Sequence, residues 1–278
     1  MGRDKKRLIG RPARGDIKSA VRRYWEDPDT VSIIDRNLHR LEIDTVLRYL
    51  RPGDSIADIG CGDGAATVEY AKKVRRCRAF ERSDHLRKAA ARNIRNSGIR
   101  NITLEAGDVL APGNIKGRFD RVITQRVLIN LASWAEQKQA IRNVYGLLKP
   151  GGLYIMIENT NDAFSSLNKM RASVALKPIN RHWHNLFFDH GKLMDFLKRR
   201  FQVAAVCDFG LYYFLTRVYV QMFANFVGFG KKAHKDPIFD SADSAARVIY
   251  EKFKGSIRIG GHRAVGPIQA FILKKKKR

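Results

Sequence analysis

The chain has 278 residues, with 53 Lys and Arg against 27 Asp and Glu, a formal charge of +26. Its 44% hydrophobic and 10% aromatic content excludes a disordered polyelectrolyte, because such chains lack the apolar side chains a core needs. Three scattered cysteines, Cys61, Cys77 and Cys207, exclude a disulfide framework and the paired spacing of a structural zinc site.

Residues 1–29 read as a basic extension, with nine Lys and Arg in the first 23 positions. No apolar run of the roughly 7–15 residues that a signal peptide needs precedes the domain, so a cytoplasmic location is expected. Charge of this kind marks a solvated tail, a nucleic-acid footprint or a contact with anionic membrane. Residues 30–278 then form one domain. Apolar positions from Ile33 to Leu50 recur at three- and four-residue steps and predict a helix, stopped by Arg51-Pro-Gly-Asp54.

A short apolar strand at 55–59 runs into Gly60-Cys-Gly-Asp-Gly64 and a helix at 65–73. The alternation continues with strands at 77–80, 102–105, 121–124 and 153–157 and helices at 86–96 and 136–148. Strands at 202–206 and 267–273 come next, with helical patterns at 211–226 and 241–254. Strands alternating with helices predict βαβ units and an open, mostly parallel α/β sheet.

A glycine turn between strand and helix lets a ligand approach the backbone, and the helix start favours negative charge. Gly60, Gly62 and Ala65 fit G-x-G-x-x-G/A, and Glu81 lies about 20 residues further on, where a ribose-binding acid is expected. The missing Gly-Lys-Ser/Thr ending excludes a phosphate-binding P-loop. These features point to an adenosine-type cofactor; Arg82 beside Glu81 keeps a nicotinamide enzyme open.

Five segments in order carry a family resemblance: Asp58-Ile-Gly-Cys-Gly-Asp-Gly64, Glu81, Gly107-Asp108-Val109, Phe119-Asp120-Arg121-Val122 and Leu148-Lys-Pro-Gly-Gly152. Together they resemble class I S-adenosylmethionine-dependent methyltransferases. The resemblance implies a Rossmann-like, seven-stranded, mostly parallel sheet with an antiparallel last strand, and S-adenosylmethionine as cofactor. By position, Asp58, Gly60 and Gly62 would cradle the methionine part, Glu81 the ribose hydroxyls and Asp108 the adenine amino group. Gln125 would lie near the transferable methyl.

The segments after the fourth and fifth strands bear on the acceptor. No Asn/Asp-Pro-Pro-Tyr/Phe pattern and no nucleophilic cysteine stand after the fourth strand, which disfavours base methylation. Beyond the fifth, Arg181-His-Trp-His-Asn-Leu-Phe-Phe-Asp189 is dense in polar and aromatic groups and reads as part of an acceptor lid at about 159–190. Glu158, His182 and His184 are its candidate bases, and no metal site is expected. A looser likeness to bacterial methyltransferases of sugar and surface-glycan pathways suggests O-methylation of a polar small molecule or glycan, which can be lipid-linked. An RNA methyltransferase and a non-catalytic cofactor-fold scaffold are the alternatives.

The insertion at about 211–262 holds a nearly apolar stretch in which Arg217, Gln221 and Asn225 fall four apart. That stripe is incompatible with an unpartnered bilayer span. Two readings stand: a helix roofing the acceptor pocket with Arg217 inward, or an interfacial helix trailed by Lys231, Lys232 and Lys235, joined on anionic lipid by the Lys274–Arg278 tail.

Overall fold

The computed structural model describes residues 17–30, 34–226, 237–254, 256–257, 259 and 264–276. Seven strands form one sheet in the order β3-β2-β1-β4-β5-β7-β6. They are β1 Ser55–Ile59, β2 Arg76–Glu81, β3 Ile102–Ala106, β4 Phe119–Gln125, β5 Leu148–Asn159, β6 Phe201–Asp208 and β7 Ile268–Lys275. β1 to β5 pair in parallel, while β7 lies antiparallel between β5 and β6. The expected Rossmann-like sheet with one reversed last strand is present.

Helices cover both faces, as parallel strands require. Successive residues of β4 and β5 point to opposite sides: Ile123, Ile155 and Ile157 enter one apolar cluster, Val122, Tyr154 and Met156 the other. The first cluster packs under α2 (Arg36–Leu47) and α3 (Ala65–Ala71), the second under α5 (Trp134–Leu147). On the chain's outward path lie α1 (Ile17–Glu26) and α4 (Asp84–Ser97). Beyond β5 come α6 (Asn161–Ser173) and α7 (His190–Lys198).

After β6 the chain enters a continuous helix: α8 (Gly210–Phe214), a π turn over Leu215–Tyr219, and α9 (Val220–Phe226). α10 (Pro237–Phe253) packs on α2, α8 and the π turn.

Both ends differ from the sequence expectation. α1 lies inside the stretch read as a basic extension, buries Ala20 and Val21, and packs on α4. Lys274 and Lys275 are part of β7, and the Lys275 ammonium donates to the Tyr145 and Leu148 carbonyls at 2.9 and 2.8 Å. The basic tail expected from Lys274 onward is therefore sheet at its start. Lys277, Arg278, Lys231, Lys232 and Lys235 lie outside the described residues.

Candidate active site

The sheet order reverses between β1 and β4, so the carboxyl ends of neighbouring strands lead away from one another and leave a crevice. A cavity of about 460 Å³ opens there. Its floor is the turn after β1, where Gly60, Gly62 and Gly64 have φ of +74°, +58° and +78°. A Cβ on Gly60 would stand 2.4 Å from the Val127 Cγ2 atom, so both the conformation and the space demand glycine.

Four acids border this floor. Asp58 is buried at the edge of β1 and accepts the Thr67 hydroxyl at 2.6 Å. Burial pushes its pKa up to about 6, against the pull of that hydrogen bond. Glu81 ends β2, accepts Gly62 N at 2.9 Å and Ser83 N at 2.8 Å, and is also raised by burial. Asp63 accepts Ala65 N at 3.1 Å. Asp108 comes after β3, accepts Leu110 N at 2.9 Å and lies 3.5 Å from the Arg82 guanidinium. The Cys61 and Cys77 thiols are buried and raised by burial, which makes them inert.

Gln125, at the end of β4, also lines the cavity and leads to residues the sequence pattern did not single out. Its amide oxygen accepts the Tyr70 hydroxyl at 3.0 Å and its amide nitrogen donates to Glu42. Glu42 is fully buried on α2, yet the Arg126 guanidinium at 3.4 Å, His39 and Gln125 outweigh burial and hold its pKa below the ordinary value. His39 Nδ1 lies 3.4 Å from the Glu42 carboxylate and 3.1 Å from Gln125 Nε2. The Glu42 carboxylate, which can only accept, favours the proton on Nδ1, while the Gln125 amide nitrogen, which can only donate, favours the lone pair there, so the ring tautomer depends on which contact is kept. The His39 Nε2 is enclosed and has no partner, and His39 lines the cavity.

Asp35, His39 and Glu42 recur at steps of four and three on α2, a polar stripe on the helical period. That was the signal available in the sequence. The backbone beside it is unusual too: Arg126 adopts φ +56°, which a side chain other than glycine occupies only where the surroundings enforce it.

The three candidate bases fare differently. The Glu158 carboxyl is fully buried and accepts Val127 N, Leu128 N and Ile129 N at 3.0, 2.8 and 3.2 Å. Burial pushes it up to about 8 against those three donors. It is not among the cavity-lining residues; its neighbour Asn159 is. Glu158 is thus corrected from base to anchor of the loop carrying Arg126 and Val127. His184 is buried, stacked on Tyr24 with ring centroids 4.2 Å apart, and edge-on to Trp25 and Trp183. Burial lowers its pKa to about 4, which makes it a weak base and an aromatic wall. His182 lines the mouth, exposed and stacked on His184; no carboxylate orients it among the described residues.

α1 closes one side of the crevice. The Glu26 carboxylate accepts Asp84 N, His85 N and the Ser83 hydroxyl, each at 3.2 Å, at the start of α4, where a helix favours negative charge. Arg217 closes the opposite side. Its guanidinium is paired with Asp35, the N-cap of α2, and lies 3.8 Å from Asp243 on α10. Among the described residues no cluster of His, Cys, Asp and Glu could hold a metal ion.

Residues 56–152 match a family model described as a methyltransferase domain. The chain is 27% identical over 122 residues to the uncharacterized methyltransferase YdaC of Bacillus subtilis, covering 43% of this chain and 64% of that protein, less than two thirds of its length. The crystal structure of the [4+2]-cyclase SpnF is similar with a TM-score of 0.56 at 19% identity, over 92% of this chain and 87% of that one. The N-methyltransferase NodS of Bradyrhizobium japonicum, in complex with S-adenosyl-L-homocysteine, gives 0.54 at 14%, over 94% and 98%. At such identities the fold is what is shared, and a fold does not fix the reaction.

The strand order and the glycine turn with its neighbouring acids are those of the class I methyltransferase fold. Over residues 56–152 the chain is similar to methyltransferase domains, whose cofactor S-adenosylmethionine can be tested against the residues of the cavity. The residues present fit it. The glycine floor is open where a Cβ would obstruct, and acids stand at the carboxyl ends of the first strands, where a ribose would be bound.

Proposed function

We propose that this chain methylates a hydroxyl of a polar small molecule or glycan, with His39 as the base. Glu81 would hold the ribose hydroxyls, Asp108 the adenine amino group, and Asp58, Gly60 and Gly62 the methionine part. When bound, the cofactor supplies a methyl group on a sulfonium, open to in-line displacement.

The observation that carries the reading is the His39–Glu42 pair on the wall of the same cavity. A hydroxyl must lose its proton as it attacks, whereas a carboxylate or phosphate oxygen is already nucleophilic. His39 Nε2 accepts that proton. Glu42, kept ionised by Arg126, holds the ring and stabilises the imidazolium that results. Gln125 and Tyr70 fix Glu42 in turn.

The acceptor side mixes aromatic faces (Tyr24, Trp25, Phe187) with amides (Asn130, Asn159, Asn185), the composition of a site that orients a polar ligand against an apolar wall. Arg181 lies over the Phe187 ring at 5.6 Å and adds a cation at the mouth. α1 excludes water from the reacting groups, and orientation of this kind supplies about 7–11 kcal/mol of a barrier. A lipid-linked glycan is the finer version of this acceptor.

Release of S-adenosylhomocysteine is measured with nucleotide sugars, lipid-linked glycans, small alcohols and total RNA as acceptors. The expected result is turnover with a hydroxyl acceptor that His39→Ala lowers by about 10²–10⁴-fold, with cofactor affinity by calorimetry unchanged. Turnover with RNA alone, or a His39→Ala enzyme within threefold of wild type, overturns the proposal.

A further inference from the structure

A buried polar atom without a hydrogen-bond partner is uncommon in a folded chain, because it has given up water and gained nothing in return. Among the described residues nine side-chain nitrogens and oxygens stand so, and six of them belong to residues that line the cavity: Trp25, His39, Arg126, Asn130, Asn159 and His184. Asn159 and His184 are the extreme cases, each only 7% exposed. The Asn159 amide oxygen and His184 Nδ1 are enclosed and unpartnered, and neither Asn159 Nδ2 nor His184 Nε2 has a hydrogen bond to a described residue.

The backbone explains why these groups do not move to find partners. Phe188 N donates to the Asn159 carbonyl at 2.9 Å, Asn161 N to the Phe188 carbonyl at 2.7 Å, and Leu186 N to the Ile129 carbonyl at 2.6 Å. Gln137 Nε2 donates to the Leu128 and Leu186 carbonyls at 3.1 and 2.8 Å. The segment after His184 is thus pinned between the end of β5 and the 128–130 turn, and the His184 ring is held against Tyr24. Both polar groups stand fixed on the wall, as a preorganised site requires.

Their chemistry defines what meets them. A primary amide and a neutral imidazole each hold a donor and an acceptor, and burial keeps His184 uncharged above about pH 4. Among the lining cations, Arg82, Arg126 and Arg217 are each paired with a carboxylate, and Arg22 and Arg181 are exposed. No unmatched buried cation remains among the described residues for an anionic acceptor. A carboxylate or phosphate oxygen only accepts and an ammonium only donates, whereas a hydroxyl does both.

We propose that the acceptor is an uncharged polyol such as a sugar ring, and that Asn159 and His184 bind hydroxyls other than the one methylated. The proposal rests on His39 acting on a hydroxyl and adds what reads the rest of the acceptor. Asn159 and His184 are then specificity-determining residues, and the Tyr24 and Phe187 rings meet the apolar C–H face of the same ligand.

Methyl glycosides of the common hexoses, each with its monodeoxy analogues, are compared with cyclohexanol, phenol, benzoate and glycine by release of S-adenosylhomocysteine. Turnover is expected with at least one hexoside. Removing one hydroxyl other than the methylated one lowers kcat/KM on the order of a hundredfold, because the buried group it met is left unpaired. Asn159→Leu and His184→Phe each raise KM for the hexoside by about tenfold or more and abolish the penalty for one deoxy analogue. Each leaves the Tm of the ligand-free protein at or above wild type, since an unpartnered buried polar group is removed, and leaves S-adenosylmethionine affinity by calorimetry unchanged. Where either substitution lowers Tm, Asn159→Ala or His184→Leu takes its place in the same comparison. Variants that discriminate the deoxy analogues as wild type does, or that lose affinity for S-adenosylmethionine instead, overturn the proposal. Absence of turnover with every hexoside overturns it too. Where cyclohexanol or phenol is then turned over, the hydroxyl reading of His39 survives; where only benzoate or glycine is, both fall.

Discussion

Gly60→Ala isolates what the glycine floor contributes. Left-handed backbone costs a residue with a Cβ about 1–2 kcal/mol, and Gly60 has φ +74°. The added methyl would also stand 2.4 Å from the Val127 Cγ2 atom, well inside the ordinary contact of about 3.5–4.0 Å. Val127 cannot simply retreat, because its N–H and those of the next two residues are held on Glu158. Overpacking of this kind costs typically 1–3 kcal/mol, so the sum is about 2–5 kcal/mol. At roughly 2–4 °C per kcal/mol for a chain of this size, Tm falls by about 4–20 °C. Cofactor affinity falls with it, because the methyl lines the cavity. Thermal unfolding and calorimetry are run on Gly60→Ala alone and in a Val127→Ala background. Val127→Ala removes the obstructing Cγ2, so the backbone part of about 1–2 kcal/mol should remain and the rest should vanish. Equal losses in both backgrounds would refute the close approach, and a loss under 1 kcal/mol would refute the strain.

Other outcomes are expected. Glu42→Gln lowers kcat, because His39 loses the carboxylate that holds its ring, with cofactor affinity retained; an unchanged kcat would contradict the pairing. Glu81→Gln weakens cofactor binding by about tenfold or more, since hydrogen bonds to a charged group are worth about 1.5–3 kcal/mol; isothermal calorimetry measures it. Glu158→Gln leaves the pH limb of kcat in place, because its carboxyl meets only backbone; loss of that limb would return Glu158 to the role of base. His184 has a folded pKa of about 4 against an ordinary 6.5. Between those values the unfolded chain binds a proton that the fold refuses, so this residue's contribution to stability falls as pH drops from about 6.5 towards 4, while Asp58 and Glu158, raised to about 6 and about 8, act in the opposite sense. Urea unfolding of wild type and His184→Phe across that range isolates it as the difference between the two slopes.

The grouping of the residues read as cofactor-binding was legible because they sit at strand ends, where order and spacing along the chain translate directly into position. Asp58, Glu81, Asp108 and Gln125 each border the cavity where their strand ends. The acceptor half was not. Glu158 and Asn159 both end β5, but alternate residues of a strand point to opposite sides; the one with the stronger chemistry turned towards the 126–129 loop, and the cavity received the amide. His39 and Glu42 were hidden by reading α2 for its apolar stripe, since polar residues between Leu38, Leu41 and Val46 pass as a solvent face. Their burial depends on Arg126, 84 residues beyond Glu42, and no local pattern reports a partner at that distance. α1 escaped for the opposite reason: its basic side chains dominate the composition although Ala20 and Val21 pack inward.

The position of β7 sets an order on folding. β6 has no neighbour in the sheet except β7, and β7 pairs with β5 across more than a hundred residues. During synthesis the five parallel strands can assemble while β6, already made, waits for residues 268–275. Until they arrive, the free edge of β5 is a template for foreign strands. Slow translation through this last stretch would prolong that exposure, so the yield of native protein should depend on how quickly its final strand is delivered.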